Sequence, residues 1–322
     1  MKIKHSFCGK NSVPVIIKVK KNMEFNTFYN KIITDETMME TIQHGNKEYP
    51  FRFYYDELSL YDFNCVEWHW HTEFEFVVIE SGKVTIQLGE KQFSLKEGYG
   101  VFINSKILHR YVSEGSAVVP NFVFAPTFLA PEESLIYKKY VLPIQSSVLD
   151  GFVFSPEVPW QAEAVSIMRK IVTAQDSPKD VEIVTAFLAQ KLWHLMYLNI
   201  EEKYLEQRGK TLNSTQVRLQ MMMQYIHENY KEKISLEDIS NHGMVSKSTA
   251  LNLFRRYLDD TPIHYLLRYR LQEAAKLLVT TEKKIAVISE CSGFDNVEYF
   301  CKMFKKYYKT TPTKYRRKKA GE

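Results

Sequence analysis

A motif that returns fifty positions later constrains this chain more than any other feature. Phe254-Arg255-Arg256-Tyr257, followed by Thr261-Pro262 and Tyr265, recurs as Phe304-Lys305-Lys306-Tyr307, followed by Thr311-Pro312 and Tyr315. Aromatic aligns with aromatic, base pair with base pair and Thr-Pro with Thr-Pro, so one structural unit is used twice. Ahead of each copy stands a short helical segment (Leu236–Ser240 and Ile285–Ser289), then a turn and a second, basic helix. That is the helix-turn-helix layout, whose second helix enters the major groove of DNA. Two such units within residues 211–322 predict one bipartite DNA-binding domain.

Charge divides along the same line. Residues 211–322 carry 20 Lys/Arg against 12 Asp/Glu, a net of +8, and residues 1–210 carry 23 against 26, a net of −3. A basic domain beside a slightly acidic one fits a nucleic-acid reader joined to a part with another task. At 322 residues the chain exceeds one comfortable core, and two domains with a helical connection are expected. The composition, 45% apolar and 25% charged, argues against disorder. No run approaches a membrane-spanning length and Met1–His5 leads into no apolar signal core, so no membrane partner and a cytoplasmic location are expected. Cys8, Cys65, Cys291 and Cys301 have no CxxC spacing and read as reduced thiols.

Taken in order, residues 1–50 read as an arm with leading strands. Six short β-rich runs follow (Phe51–Tyr55, Phe74–Ile79, Val84–Leu88, Gln92–Leu95, Gly100–Asn104 and Ala117–Phe124), separated by turn residues such as Ser81-Gly82 and Gly89-Glu90. They predict a small antiparallel barrel or jelly roll. Helices are expected over Glu157–Thr173 and Asp180–Tyr204, with Glu201–Asn213 as a polar linker. The second is apolar around most of its circumference (Phe187, Leu188, Leu192, Trp193, Leu195, Met196, Tyr197, Leu198), which suits a helix covering the barrel, or one that also contacts a second copy in a homodimer. The fold class is α+β: an antiparallel barrel with its arm over 1–125, a helical connecting and dimerisation segment over 126–210, and an all-α double helix-turn-helix domain over 211–322.

Ser235-Leu236-Glu237-Asp238 has the form of a capping box, and each Thr-Pro can open a helix. Helical spacing puts Ala250, Phe254, Tyr257 and Leu258 on the core stripe of the first recognition helix. Lys247, Ser248, Thr249, Asn252, Arg255 and Arg256 are then left toward the groove. In the second, Phe300, Phe304 and Tyr307 are inward, and Asn296, Val297, Glu298, Lys302, Lys305 and Lys306 outward. Asn can pair with adenine, Glu with cytosine, Lys with guanine, and Val can touch a thymine methyl. The paired bases lie later in each helix and suit phosphates. A solvated basic face is the plain alternative for any one of them; the duplicated placement argues against it.

Ile288-Ser289, Gly293-Phe294-Asp295, Tyr299-Phe300, Phe304-Lys305-Lys306, Thr311-Pro312 and Tyr315-Arg316, with Arg270-Leu271 and Ala274 before them, closely resemble the AraC-type (arabinose-operon regulator) family of bacterial transcription factors. The resemblance covers about a third of the chain. It implies two recognition helices in successive major grooves of double-stranded operator DNA, about one helical turn apart. It also implies a small-molecule effector, a sugar or other metabolite, and contact with RNA polymerase if the protein activates. Departures from the pattern are Ser240 and Ser289 at the usual small residue, Met244 at the first-turn glycine, Asp259 and Lys309 at the glycines after each recognition helix, and Asn252 where relatives often carry Arg.

A second constellation, His69-Trp70-His71-Thr72-Glu73-Phe74-Glu75 with Gly82 and His109, lies in the β-rich half. On one regular strand, His69, His71, Glu73 and Glu75 would share a face. The spacing resembles the first cupin motif, and His109 the histidine of the second, although Ser113 stands where an asparagine often closes that motif. His69, His71, Glu75 and His109 can hold a divalent Fe, Mn, Zn or Ni ion; with Glu73, the same residues also suit the polar lining of a ligand pocket or a structural hydrogen-bonded cluster. No other cofactor is expected. The reading is a ligand-responsive, DNA-binding transcription regulator and not an enzyme. Its rivals are a metal-dependent cupin enzyme fused to a DNA-binding domain, and an N-terminal half that only dimerises.

Overall fold

The structure, a computed structural model, describes residues 32–35, 37–176, 179–206 and 210–319. Most of the arm reading therefore lies outside the described residues. Among the described residues nine strands form two antiparallel sheets: β1 (Phe51–Glu57), β2 (Cys65–His69), β3 (Phe74–Val78), β4 (Lys83–Leu88), β5 (Lys91–Lys96), β6 (Gly100–Ile103), β7 (His109–Ser113), β8 (Val118–Phe124) and β9 (Gly151–Phe154). One sheet runs β1-β8-β3-β6-β9 and the other β2-β7-β4-β5. The first eight strands make the double-sheet jelly roll, and β9 extends one edge by pairing with β6.

All six expected strands are present. Three more were not read from the sequence. In β2 a bulge between Val66 and His69 breaks the alternation, β7 is too polar to look like a strand, and β9 follows a long loop inside the segment expected to be helical. The single strand expected through His69–Glu75 is also corrected. Strand β2 ends at His69, β3 begins at Phe74, and the two lie in different sheets.

Strand β3 is buried along its whole length because each face meets a different core. Phe74, Phe76 and Val78 join Phe51, Phe102, Phe122, Phe124 and Phe154 on the outer face, and Val77 points into the barrel with Ile86, Val101 and Val119. Helices α2 (Pro159–Ala174) and α3 (Val181–Asn199) cover the outer face through Val165, Met168, Ile171, Leu192, Trp193 and Met196; a four-residue helix, α1 (Leu142–Gln145), precedes them. Gly100 allows that approach, since a Cβ there would lie 3.0 Å from the Met168 sulfur and 3.1 Å from Val165. The opposite side of α3 is uncovered: Ile183, Phe187 and Leu198 are each more than 60% exposed.

The C-terminal half comprises α4 (Lys210–Asn229), α5 (Leu236–His242), α6 (Lys247–Leu258), α7 (Pro262–Thr280), α8 (Ile285–Cys291), α9 (Val297–Tyr308) and α10 (Pro312–Lys319). Helix α4 starts at Lys210, inside the stretch Glu201–Asn213 expected to be linker. The capping box forms, with the Asp238 amide on Ser235 Oγ and the Ser235 amide on Asp238 Oδ2 at 2.8 Å. Thr261 caps α7, whose first residue is Pro262. The departures from glycine do sit in left-handed backbone, with φ of 53° at Met244, 49° at Asp259 and 57° at Lys309. Asp tolerates that region; Lys and Met each give up about 1 kcal/mol relative to glycine.

Helix α7 spans both helix-turn-helix units. Its N-terminal part (Tyr265, Leu266) packs with Ala250, Phe254 and Leu258 of α6, and its later part (Leu271, Ala274, Leu278) with Phe300 and Phe304 of α9. The first of these cores continues into the barrel, because Met38, Trp68 and Leu108 belong to it. Reader and barrel therefore share packing as well as chain.

Candidate functional site

Both recognition helices present the faces the sequence assigned. Lys247, Ser248, Thr249, Asn252, Arg255 and Arg256 on or at α6 are exposed, as are Asn296, Val297, Glu298, Lys302, Lys305 and Lys306 at α9. Several already have local work. Ser246 Oγ accepts the Thr249 amide and so caps α6, and Lys247 Nζ lies 2.7 Å from Glu237. Asn296 caps α9 by accepting the Tyr299 amide at 2.8 Å. Arg256 pairs at 2.5 Å with Glu90 of the barrel. Tyr299, half exposed, and Met244, 74% exposed, extend the two faces and were not in the predicted set. Their exposure, an aromatic and a thioether left in water at a helix and a turn, becomes visible only once packing is known.

The second constellation assembles in the barrel by a route other than the expected one. His69 comes from the end of β2, His71 from the crossing between sheets, Glu75 from β3 and His109 from β7, and their ligand-type atoms all lie within 4.8 Å of one another. All four are buried. Glu73, expected to join them, lies beside the group and not within it: its Oε2 accepts from Thr72 Oγ1 at 3.2 Å and lies 3.8 Å from His71 Nδ1. The crossing between sheets breaks the register that one continuous strand would have kept.

Backbone carbonyls fix two of the rings. His69 Nδ1 is 2.8 Å from the Glu67 carbonyl, and His109 Nδ1 is 2.8 Å from the Ile107 carbonyl, so these nitrogens carry the protons and donate them. Each Nε2 is then left as a lone pair. His109 Nε2 nonetheless sits 3.1 Å from Glu75 Oε2, which is also 3.1 Å from His71 Nε2. Two acceptors at that distance repel unless a positive charge lies between or beside them, as an imidazolium proton or as a metal ion. Tyr111 donates to the other Glu75 oxygen at 2.6 Å and orients the carboxylate. Burial and the neighbouring His109 push the His69 imidazole down to about 3, so it stays neutral. Burial alone would raise Glu75; the bonds to His109 and His71 outweigh it and hold the carboxyl well below its usual range.

Three neutral-capable imidazoles, one ionised carboxylate and a hydrogen-bonded outer shell form a donor set that fits a divalent first-row metal. The residues that would hold it are His69, His71, Glu75 and His109. Two further buried groups stand behind them. His44 has its ring centroid 5.2 Å from that of His71, its Nδ1 2.8 Å from Tyr54 Oη and its Nε2 3.3 Å from Glu40. Burial would raise the Glu40 carboxyl, and the His44 bond brings it below its usual value instead. Sequence reasoning passed over both; the Glu40/His44 spacing of four in a weakly patterned stretch was the only signal.

A jelly-roll barrel with a buried polar cluster, joined to two outward-facing recognition helices on one linking helix, defines a ligand-binding sensor coupled to a DNA reader. The family model described as an AraC-like ligand binding domain matches residues 51–130, and that described as a helix-turn-helix domain matches residues 239–318. The chain belongs to the AraC family of DNA-binding transcription regulators, with a ligand-binding domain. It is 28% identical over 291 residues to the HTH-type transcriptional regulator YdeC of Bacillus subtilis, covering 88% of this chain and 98% of that one. It is 20% identical over 254 residues to the Melibiose operon regulatory protein of Escherichia coli, 77% of this chain and 83% of that one. Among solved structures, an AraC-type DNA-binding protein from Chromobacterium violaceum is 30% identical over 34% of this chain and 96% of its own, with a TM-score of 0.32. Among the described residues no helix is long and apolar enough to cross a membrane.

Proposed function

We propose that this regulator acts in the cytoplasm, without catalysis, as a homodimer whose effector site is the His69/His71/Glu75/His109 cluster, and that its effector is a divalent transition-metal ion. The observation that carries the effector assignment is the convergence of His109 Nε2 and His71 Nε2, each 3.1 Å from Glu75 Oε2, in a fully buried site. A metal would supply positive charge there in place of an imidazolium proton. Four donor atoms within 4.8 Å of one another span the distance over which a single ion is coordinated. A metal that binds the native barrel more tightly in one arrangement of the chain shifts DNA binding by that difference in affinity and by no more. The measurement is metal content and thermal midpoint of the full chain purified without chelators, then loaded with Mn, Fe, Co, Ni or Zn. One ion per chain and a raised midpoint are expected. Metal-free protein whose midpoint no ion moves would remove the assignment.

A second reading, a sugar or other metabolite, is favoured by a cavity of about 760 Å³ between barrel and reader, lined in part by Trp68, Tyr265, Tyr269, Glu67 and Arg268. Aromatic faces with polar groups suit a carbohydrate, and the name of the melibiose relative points the same way. A midpoint raised by sugars and by no metal selects this reading.

The homodimer rests on α3, where Ile183, Phe187 and Leu198 form an exposed apolar stripe opposite the face that packs on the barrel. Phe187→Glu is expected to shift a sedimenting dimer to monomer with the thermal midpoint kept. Unchanged sedimentation would place the interface elsewhere. If the protein activates transcription, RNA polymerase is a further partner.

A further inference from the structure

The two helix-turn-helix units keep separate cores. Ala250, Phe254 and Leu258 of α6 belong to one, Phe300 and Phe304 of α9 to the other, and both cores rest on α7. Reading successive grooves takes more than two folded units, because the distance and angle between α6 and α9 must also be held.

A chain of polar side chains runs from the end of one recognition helix to the end of the other. Asp260 follows α6 and is fixed to it, since its amide bonds to the Phe254 carbonyl at 3.3 Å. Its Oδ1 accepts the Thr261 amide at 2.7 Å and lies 2.5 Å from His264 Nδ1, in the first turn of α7. Its Oδ2 stands 3.6 Å from Arg268 Nη1. The opposite ring nitrogen, His264 Nε2, meets Tyr307 Oη near the end of α9. An ionised carboxylate can only accept, so Nδ1 carries the ring proton and donates it. A neutral ring then offers Nε2 as a lone pair, and Tyr307 donates to it. The repeat sets these residues apart from those that build a unit. Tyr257, the counterpart of Tyr307, hydrogen-bonds Glu90 of the barrel, and Asp260 and His264 are matched in the second unit by Thr310 and Lys314. Carboxylate and imidazole thus stand where they reach the neighbouring unit, and not at the equivalent positions of that unit.

We propose that Asp260, His264 and Tyr307 are positioning residues that set the separation of the two recognition helices, and with it the spacing between DNA boxes that this regulator accepts. The proposal rests on α6 and α9 both reading DNA and is independent of the effector assigned to the barrel. Inserting one base pair between the boxes moves the second by about 3.4 Å and turns it by about 35°. A hydrogen bond does not survive a displacement of that size, so binding a misspaced operator breaks the bridge. Binding the matched operator leaves it intact. The difference between the two is a spacing preference carried by residues that need not touch DNA.

The test uses a duplex selected from a random pool by the full-length chain, and two derivatives with one base pair inserted or removed between the protected boxes. Affinities are compared for wild type, Tyr307→Phe, His264→Leu and the double variant. Phenylalanine keeps the ring, with its 5.9 Å edge contact to Phe63 of the barrel, and deletes the hydroxyl alone. Wild type is expected to favour the selected spacing. Each single variant should lose about fivefold of that preference, the worth of one hydrogen bond, mainly because misspaced duplexes bind better. The double variant should lose no more than either single one, since links in series are broken only once. A preference in Tyr307→Phe equal to that of wild type overturns the proposal, as does the lack of any preference in wild type. Equal weakening on all three duplexes would make Tyr307 a DNA contact and overturn it as well, and so would additive losses in the double variant. Should His264→Leu lose its thermal midpoint, Tyr307→Phe decides alone.

Discussion

His109→Ala is expected to abolish stoichiometric uptake of a divalent ion by the full chain and, with it, any metal-induced rise in thermal midpoint. The imidazole is fully buried, its Nδ1 is tied to the Ile107 carbonyl, and its Nε2 faces Glu75. Removing it takes one of four donors from the set. A ligand that binds only the folded state stabilises it by about 2.7 kcal/mol at a hundredfold excess over Kd, so wild type should show a shift of several degrees that the variant lacks. Tyr111→Phe makes the graded comparison. It keeps all four donors and removes only the hydroxyl that orients Glu75, for which a loss of about 10–100-fold in affinity is expected. If His109→Ala binds metal as wild type does, the cluster is a hydrogen-bonded structural element and the effector lies elsewhere.

The reader was legible in the sequence and the sensor only in outline, for physical reasons. In α6 and α9 the inward and outward residues follow from helical spacing alone, and Ala250, Phe254, Tyr257 and Leu258 are all buried as read. Helix faces are set by local geometry, so a short window carries the information. The cluster depends instead on which sheets meet. His69 and Glu75 come together because β2 and β3 lie in opposite sheets at a crossing, and a period of two along one strand cannot express that. It therefore put Glu73 within the group, where it lies only beside His71, and passed over Glu40 and His44, which a loop before β1 delivers. The seam between barrel and reader was invisible for the same reason. Asp62, Phe63 and Glu90 are turn residues whose partners lie roughly 170–250 positions away along the chain.

Among the polar contacts of that seam, Glu67→Ala should cost the most stability. Arg268 and Glu67 are nearly enclosed, with side chains 13% and 16% exposed, whereas the Arg256–Glu90 pair lies largely in water. Burial alone would lower the Arg268 guanidinium; the Glu67 charge outweighs it and raises it, so the cation stays charged in the folded chain. Deleting Glu67 leaves that charge enclosed, a loss of about 3–5 kcal/mol when no partner replaces it. Asp260 Oδ2, 3.6 Å from the other guanidinium nitrogen, will recover part of this and place the result toward the lower end. Glu67→Leu combined with Arg268→Met removes both charges and should return most of the stability, because two enclosed charges give back little more than their own desolvation. Urea unfolding of the two single variants and the double variant measures the coupling directly. A single-variant loss below about 1 kcal/mol, with no recovery in the double, would mean that the pair is solvated and the seam does not depend on it. With the expected loss, Glu67–Arg268 is the pair that keeps the reader attached to the barrel, and the water-exposed Glu90–Arg256 pair adds little to it.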